Sequence, residues 1–212
     1  MVTGRRGAVR ILRCSMRNYR GFDELEIVPR GHILLVGAPR SGRSDVLNAL
    51  SKVFELEQTR LDERDFHKGD LSLDIEIEVT LGDLSIDLSQ RFLDDLEVWS
   101  PTDQKLIGVA NDLAELPSGC VPVLRVAYRG RWDDIDQRGL QVVFTPKRSE
   151  AGIDALHRLR REDREALPFH RLVAGRPLNL APRGLLRSSL STTETDALNS
   201  ALDDMRRATP CC

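Results

Sequence analysis

The chain has 212 residues, 31 of them basic and 33 acidic, for a formal net charge of −2. That length fits one large domain and excludes a multidomain machine, and 41% apolar with 30% charged residues is the composition of a folded chain with a real core. Near-zero charge argues against a dedicated nucleic-acid coat. No apolar stretch approaches the ~18 residues of a membrane span, and Arg10 and Arg13 interrupt any signal-peptide core, so the expected location is the cytoplasm with no membrane partner.

In chain order, residues 9–19 and 23–28 alternate as two strands of a hairpin, joined by Tyr19-Arg20-Gly21-Phe22 with Gly21 supplying the turn. The nearly all-apolar run over residues 32–36 predicts a strand buried on both faces of a sheet. After the glycine-bounded residues 37–42, Val46, Leu47, Leu50, Val53 and Phe54 fall at helical spacing, which predicts a helix over 43–54. Leu71, Leu73, Ile75, Ile77, Val79 and Leu81 alternate with polar residues as a half-buried strand, whose acidic outer face deters edge-to-edge pairing.

A helix is expected over 87–99, followed by strands near 106–109, 121–128 and 140–144, so the middle third reads as an antiparallel β insertion. Charged residues 149–164 predict another helix, and Ala197, Leu198, Ala201, Leu202 and Met205 mark the apolar face of a last one over 193–207. The basic clusters at 158–161 and 183–187 read as solvated faces. Among the 31 basic residues 27 are arginine and four lysine, a skew expected of a GC-rich genome in which arginine often stands where lysine would serve. The cysteines Cys14, Cys120, Cys211 and Cys212 form no CxxC, and the four scattered histidines offer no metal spacing.

The chemistry-bearing segment is Gly37-Ala38-Pro39-Arg40-Ser41-Gly42-Arg43-Ser44. It matches the phosphate-binding loop G-x-x-x-x-G-K-[ST] at each fixed position but the lysine, which is Arg43. With an apolar run before it and a helix after it, the backbone N–H groups of residues 40–44 and the helix N-terminus would converge on phosphate oxygens. Ser44 would place its hydroxyl on Mg²⁺, and Arg43 would reach the terminal phosphates. Arginine keeps the charge but replaces a compact ammonium by a wide fork.

Residues 11–22, with Asn18-Tyr19-Arg20-Gly21-Phe22, then Leu25-Glu26-Ile27, Ile33-Leu34-Leu35-Val36 and the loop through Ser44, Leu47 and Leu50, resemble the start of ABC-type ATPase heads of the RecF and SMC class. Asp65-Phe66-His67, residues 75–84 and Tyr128-Arg129-Gly130-Arg131-Trp132 are most similar to the ATP-dependent nucleases of the overcoming-lysogenization-defect (OLD) family. The resemblance implies an α/β P-loop NTPase fold with an antiparallel β lobe, and ATP and Mg²⁺ as cofactors. Gly37, Arg40, Ser41, Gly42, Arg43 and Ser44 would bind ATP, with Ser44 also on the metal and Arg20 beside the nucleotide.

The apolar Walker B strand ending in Asp-Glu, the Ser-Gly signature and the Toprim nuclease domain of that family have no counterpart here. The chain is therefore expected to be one incomplete head: hairpin, loop and first helix over 1–60, β lobe over 61–148, helical segment over 149–212. Its parent would act in DNA repair or phage defence. The implied partners are a second copy or a chain carrying the missing ATPase half, with DNA only through the parent assembly. The alternative is a non-hydrolysing nucleotide-binding or partner-binding module from a truncated gene. A small GTPase lacks its N-K-x-D here, and a small-molecule kinase would not need the hairpin or the β insertion.

Overall fold

A computed structural model describes residues 9–57, 59–109, 116–149 and 155–169, with residues 171 and 200. The chain divides into two units, residues 1–169 and 170–212, and every element named here belongs to the first. The helix expected over 193–207 lies outside the described residues, apart from Ser200.

Seven antiparallel strands form one sheet in a mixed α/β fold. They are β1 (Arg10–Tyr19), β2 (Phe22–Ile27), β3 (Ile75–Gly82), β4 (Leu96–Ser100), β5 (Lys105–Val109), β6 (Val121–Asp133) and β7 (Arg138–Phe144). The order is β2-β1-β3-β6-β4-β5, and β7 also pairs with β6. β6 is long enough that its far edge serves two partners in succession: Val121 to Leu124 pair with β4, and Ala127 to Asp133 pair with β7. The hairpin and the middle strands thus belong to one sheet, in which β3 is central and not an edge.

Alternation along these strands splits the sheet into two unlike faces. Cys14, Met16, Ile75, Ile77, Val79, Leu124, Val126 and Tyr128 are buried on one face. The helix α1 (Arg43–Phe54) packs there against β3 and β6 through Val46, Ala49, Val53 and Phe54. On the other face charge pairs run from strand to strand. Arg13 meets Glu26 at 3.0 Å, Arg17 meets Glu24, and Arg129 meets Glu76 at 2.9 Å. Arg125 grips Glu97 through two hydrogen bonds of 2.8 and 2.9 Å and also reaches Glu78. The acidic face of β3 is therefore neutralised by arginines of its neighbours, and does not serve as an edge guard.

Two glycines admit a close crossing. Leu61, just beyond α1, lies over the β6–β7 pair, where a Cβ on Gly139 would sit 2.4 Å from its Cβ and one on Gly130 2.9 Å from its Cδ2. The far end of α1 is held by α3 (Arg161–Ala166) and by Phe169 beyond it. Arg164 donates to the Glu55 carbonyl, a cation at a helix C-terminus, and Phe169 stacks on Phe54 at 5.1 Å.

Four sequence expectations are corrected. Residues 32–36 join no strand: Leu34 is 85% and Val36 80% exposed, because a strand buried on both faces needs neighbours on both edges and the described sheet offers it none. The hairpin turn puts its left-handed conformation on Arg20 (φ 47°) and not on Gly21. The helix expected over 87–99 is only α2 (Ile86–Arg91), capped by the Ser85 hydroxyl, and after a 3₁₀ turn the chain becomes β4. Of residues 149–164, 156–160 are not helical, since Arg158 bridges to Phe144, and the α-helix begins only at Arg161. No described helix is long and apolar enough to cross a membrane.

Candidate phosphate loop and its arginine latch

The loop closes in two steps dictated by its sequence. The Ser41 N–H donates to the Ala38 carbonyl at 3.2 Å, and Arg40 (φ 66°) and Gly42 (φ 84°) take left-handed conformations that turn the chain into α1. Gly42 is the N-cap of that helix, and it brings no side chain to cap the first turn. The Asp45 and Val46 N–H groups fold back to the Gly42 carbonyl at 2.9 and 3.1 Å. Among the described residues, the N–H groups of Gly42, Arg43 and Ser44 meet no backbone acceptor, so the positive end of a twelve-residue helix faces outward.

Both glycines of the loop stand close to a side chain, and Gly42 also takes a positive φ. A Cβ on Gly42 would lie 2.5 Å from the Phe22 ring, and one on Gly37 would lie 2.5 Å from the Ser41 hydroxyl. Arg43 and Ser44 are both exposed, and the Arg43 guanidinium bends across the loop toward the Ala38 carbonyl at 3.5 Å. A phosphate would meet outward N–H groups, a guanidinium and a hydroxyl, a donor set that suits Mg·ATP. Ser44, the residue expected on the metal, holds its side chain exposed in the first turn of α1. Among the described residues no group of three or more His, Cys, Asp or Glu could hold a cation by itself.

Arg20 reaches this helix from the hairpin. Its Nη1 donates to Asp45 Oδ1 at 3.2 Å, one residue past Ser44, and its Nε donates to Asp65 Oδ1 at 2.9 Å. The Arg20 N–H also donates to the Asp65 carbonyl at 2.8 Å. Behind it Lys52 of α1, almost wholly buried, lies 3.4 Å from Asp65 and donates to the carbonyl and hydroxyl of Thr59. Burial lowers the Lys52 ammonium pKa, and Asp65 opposes that shift. Burial also works to lower the Arg20 pKa, but Tyr19, Asp65 and Asp45 together leave it raised.

The turn is tied a second time by Asn18, whose Nδ2 donates to the carbonyls of Asp70 and Leu73 while its Oδ1 accepts from the His67 N–H. Asp45, Lys52, Asp65 and Asn18 escape sequence reading as site residues. The signal available was the Asp65-Phe66-His67 segment, which marked resemblance without marking contact. The structure thus brings Gly37, Arg40, Ser41, Gly42, Arg43 and Ser44 into one loop and sets Arg20 against the first turn behind it.

No protein-family model matches the chain, and no curated protein matches it.

Proposed function

We propose that residues 37–44 bind the phosphates of Mg·ATP, and that the chain is the ATP-binding portion of an OLD-like ATPase or endonuclease whose parent serves DNA repair or phage defence. The observation that carries the reading is the uncapped N-terminus of α1: a G-x-x-x-x-G-R-S loop leaves the Gly42, Arg43 and Ser44 N–H groups open beside an exposed guanidinium and hydroxyl. Gly37, Arg40, Ser41 and Gly42 shape the loop, Arg43 neutralises the terminal phosphates, Ser44 meets the metal, and Arg20 holds the first turn through Asp45.

Calorimetry with Mg·ATP on the full chain tests this. Ser44→Ala and Arg43→Ala lie on exposed positions and should weaken binding without moving the unfolding midpoint; unchanged affinity in both overturns the assignment. Gly42→Val is a poorer probe, because its Cβ would strike Phe22 and disturb the fold. Hydrolysis by the chain alone should not exceed that of Ser44→Ala, since its sequence holds no apolar strand ending in Asp-Glu to polarise water. A second reading, a nucleotide-binding or partner-binding module that does not hydrolyse, is favoured by the exposure of Ile33, Leu34 and Val36 directly before the loop.

A further inference from the structure

We infer that residues 32–37 are a docking edge for an apolar β-strand of a different polypeptide, one carrying carboxylates at its ends. The inference deepens the partner-binding side of the functional reading and stands whether or not ATP binds. Four consecutive apolar residues, Ile33 to Val36, run outside every described strand pairing. Leu35 alone turns inward and packs against the core, while Leu34 (85%), Val36 (80%) and Ile33 (42%) are exposed. Leu34 and Val36, the two most exposed, stand two apart with Leu35 between them turned inward, the spacing that extended backbone gives.

Size and charge narrow the occupant. The three exposed side chains present on the order of 300 Å² of apolar surface, well short of the ~800 Å² per partner of a standard interface. Side-chain burial alone would not hold a partner, whereas strand addition adds main-chain hydrogen bonds to it. From Ile27 to Ser44 the sequence has no acidic residue, while Arg30, Arg40 and Arg43 bracket the apolar run and are all exposed. A strand with acidic ends matches that field; a second copy of the same run would set arginine against arginine.

The test uses the full chain and synthetic peptides of about ten residues: a Val/Ile/Leu core ending in Asp and Glu, the same core ending in Lys, and the acidic one N-methylated at alternate positions. Amides of residues 33–36 should exchange freely in the chain alone and become protected by the acidic-ended peptide. That peptide should bind at least about tenfold more tightly than the other two, and Leu34→Asp should abolish the effect. Protection already present in the monomeric chain would mean that its own residues cover the run, and a dimer dissociated by Leu34→Asp would mean that a second copy does; either overturns the proposal. So would equal binding of the lysine-ended peptide, or no protection by any peptide. Calorimetry with Mg·ATP on the wild-type chain separates the two readings: peptide protection without ATP binding supports the strand edge and sinks the phosphate loop.

Discussion

Asp65 is the residue on which the latch depends. Its side chain, 6% exposed, stands between Arg20 and Lys52 and also accepts from the Asp62 N–H. Removing its charge would deprive the buried Lys52 ammonium of that carboxylate, the costly way to break a buried pair. Asp65→Asn should therefore cost about 3–5 kcal/mol, read as a lowered urea midpoint, and Lys52→Met in that background should recover part of the loss. If Asp65→Asn leaves the midpoint in place, the cluster does not tie the hairpin to the helix.

Cys14 carries a pH dependence whose sign follows from burial. Desolvation pushes its thiol from 9.0 up to about 12. The folded chain keeps a proton that the unfolded chain releases, so the stabilisation is complete below pH 9 and is lost as pH rises toward 12. Burial raises the Tyr128 phenol in the same direction. Between pH 8 and 11 the wild-type midpoint should fall, and the fall should be smaller in Cys14→Ala, where a difference on the order of 2 kcal/mol per protein is the scale of such linkage. Parallel curves for the two proteins would show that Cys14 does not titrate differently in the folded state.

At the scale of elements, the loop sets Arg43 against the lysine of the usual motif. The guanidinium spans the loop toward the Ala38 carbonyl, and a lysine ammonium could tuck between phosphates without that crossing. Arg43→Lys should tighten Mg·ATP by about 1 kcal/mol, several-fold in affinity, the scale of one improved charge-assisted contact. Weaker binding on titration would show a loop adapted to the fork. Gly42→Ala should destabilise the fold by about 1–3 kcal/mol, through positive φ and the Phe22 contact together. A Phe22→Ala partner mutation should relieve only the steric share, which a double-mutant cycle of unfolding midpoints measures.

Elements governed by their own local pattern were legible in sequence: the hairpin, α1, the alternation of β3, and the strands around 121–144. Elements decided by distant partners were not. Glu97 reads as a helix residue until Arg125, 28 positions on, grips it in the sheet, which turns the end of the expected helix into β4. Leu47 shares the apolar spacing of α1 yet is 48% exposed, because it stands off the face on which Val46, Ala49, Val53 and Phe54 are buried. The loop was readable as a motif. Its latch was not, since Asp45, Lys52 and Asp65 look like ordinary surface charges until the hairpin turn is placed among them.

For the molecule as a whole, β3 holds the sheet together from the middle. It meets β1 from Arg10↔Gly82 to Arg17↔Glu76 and β6 from Ile75↔Gly130 to Leu81↔Leu124, every pairing distant in sequence. The β1–β2 and β6–β7 ribbons, by contrast, close across short turns. Chain entropy then orders assembly: the two ribbons can form early, and β3 must close one long loop on each side to unite them. The rate-limiting event of refolding should be the arrival of β3. Ile77→Val, worth about 1 kcal/mol, should accordingly slow refolding in stopped-flow chevrons. Leu25→Ala in β2 should mainly speed unfolding, and the reverse partition would place the nucleus in the hairpin.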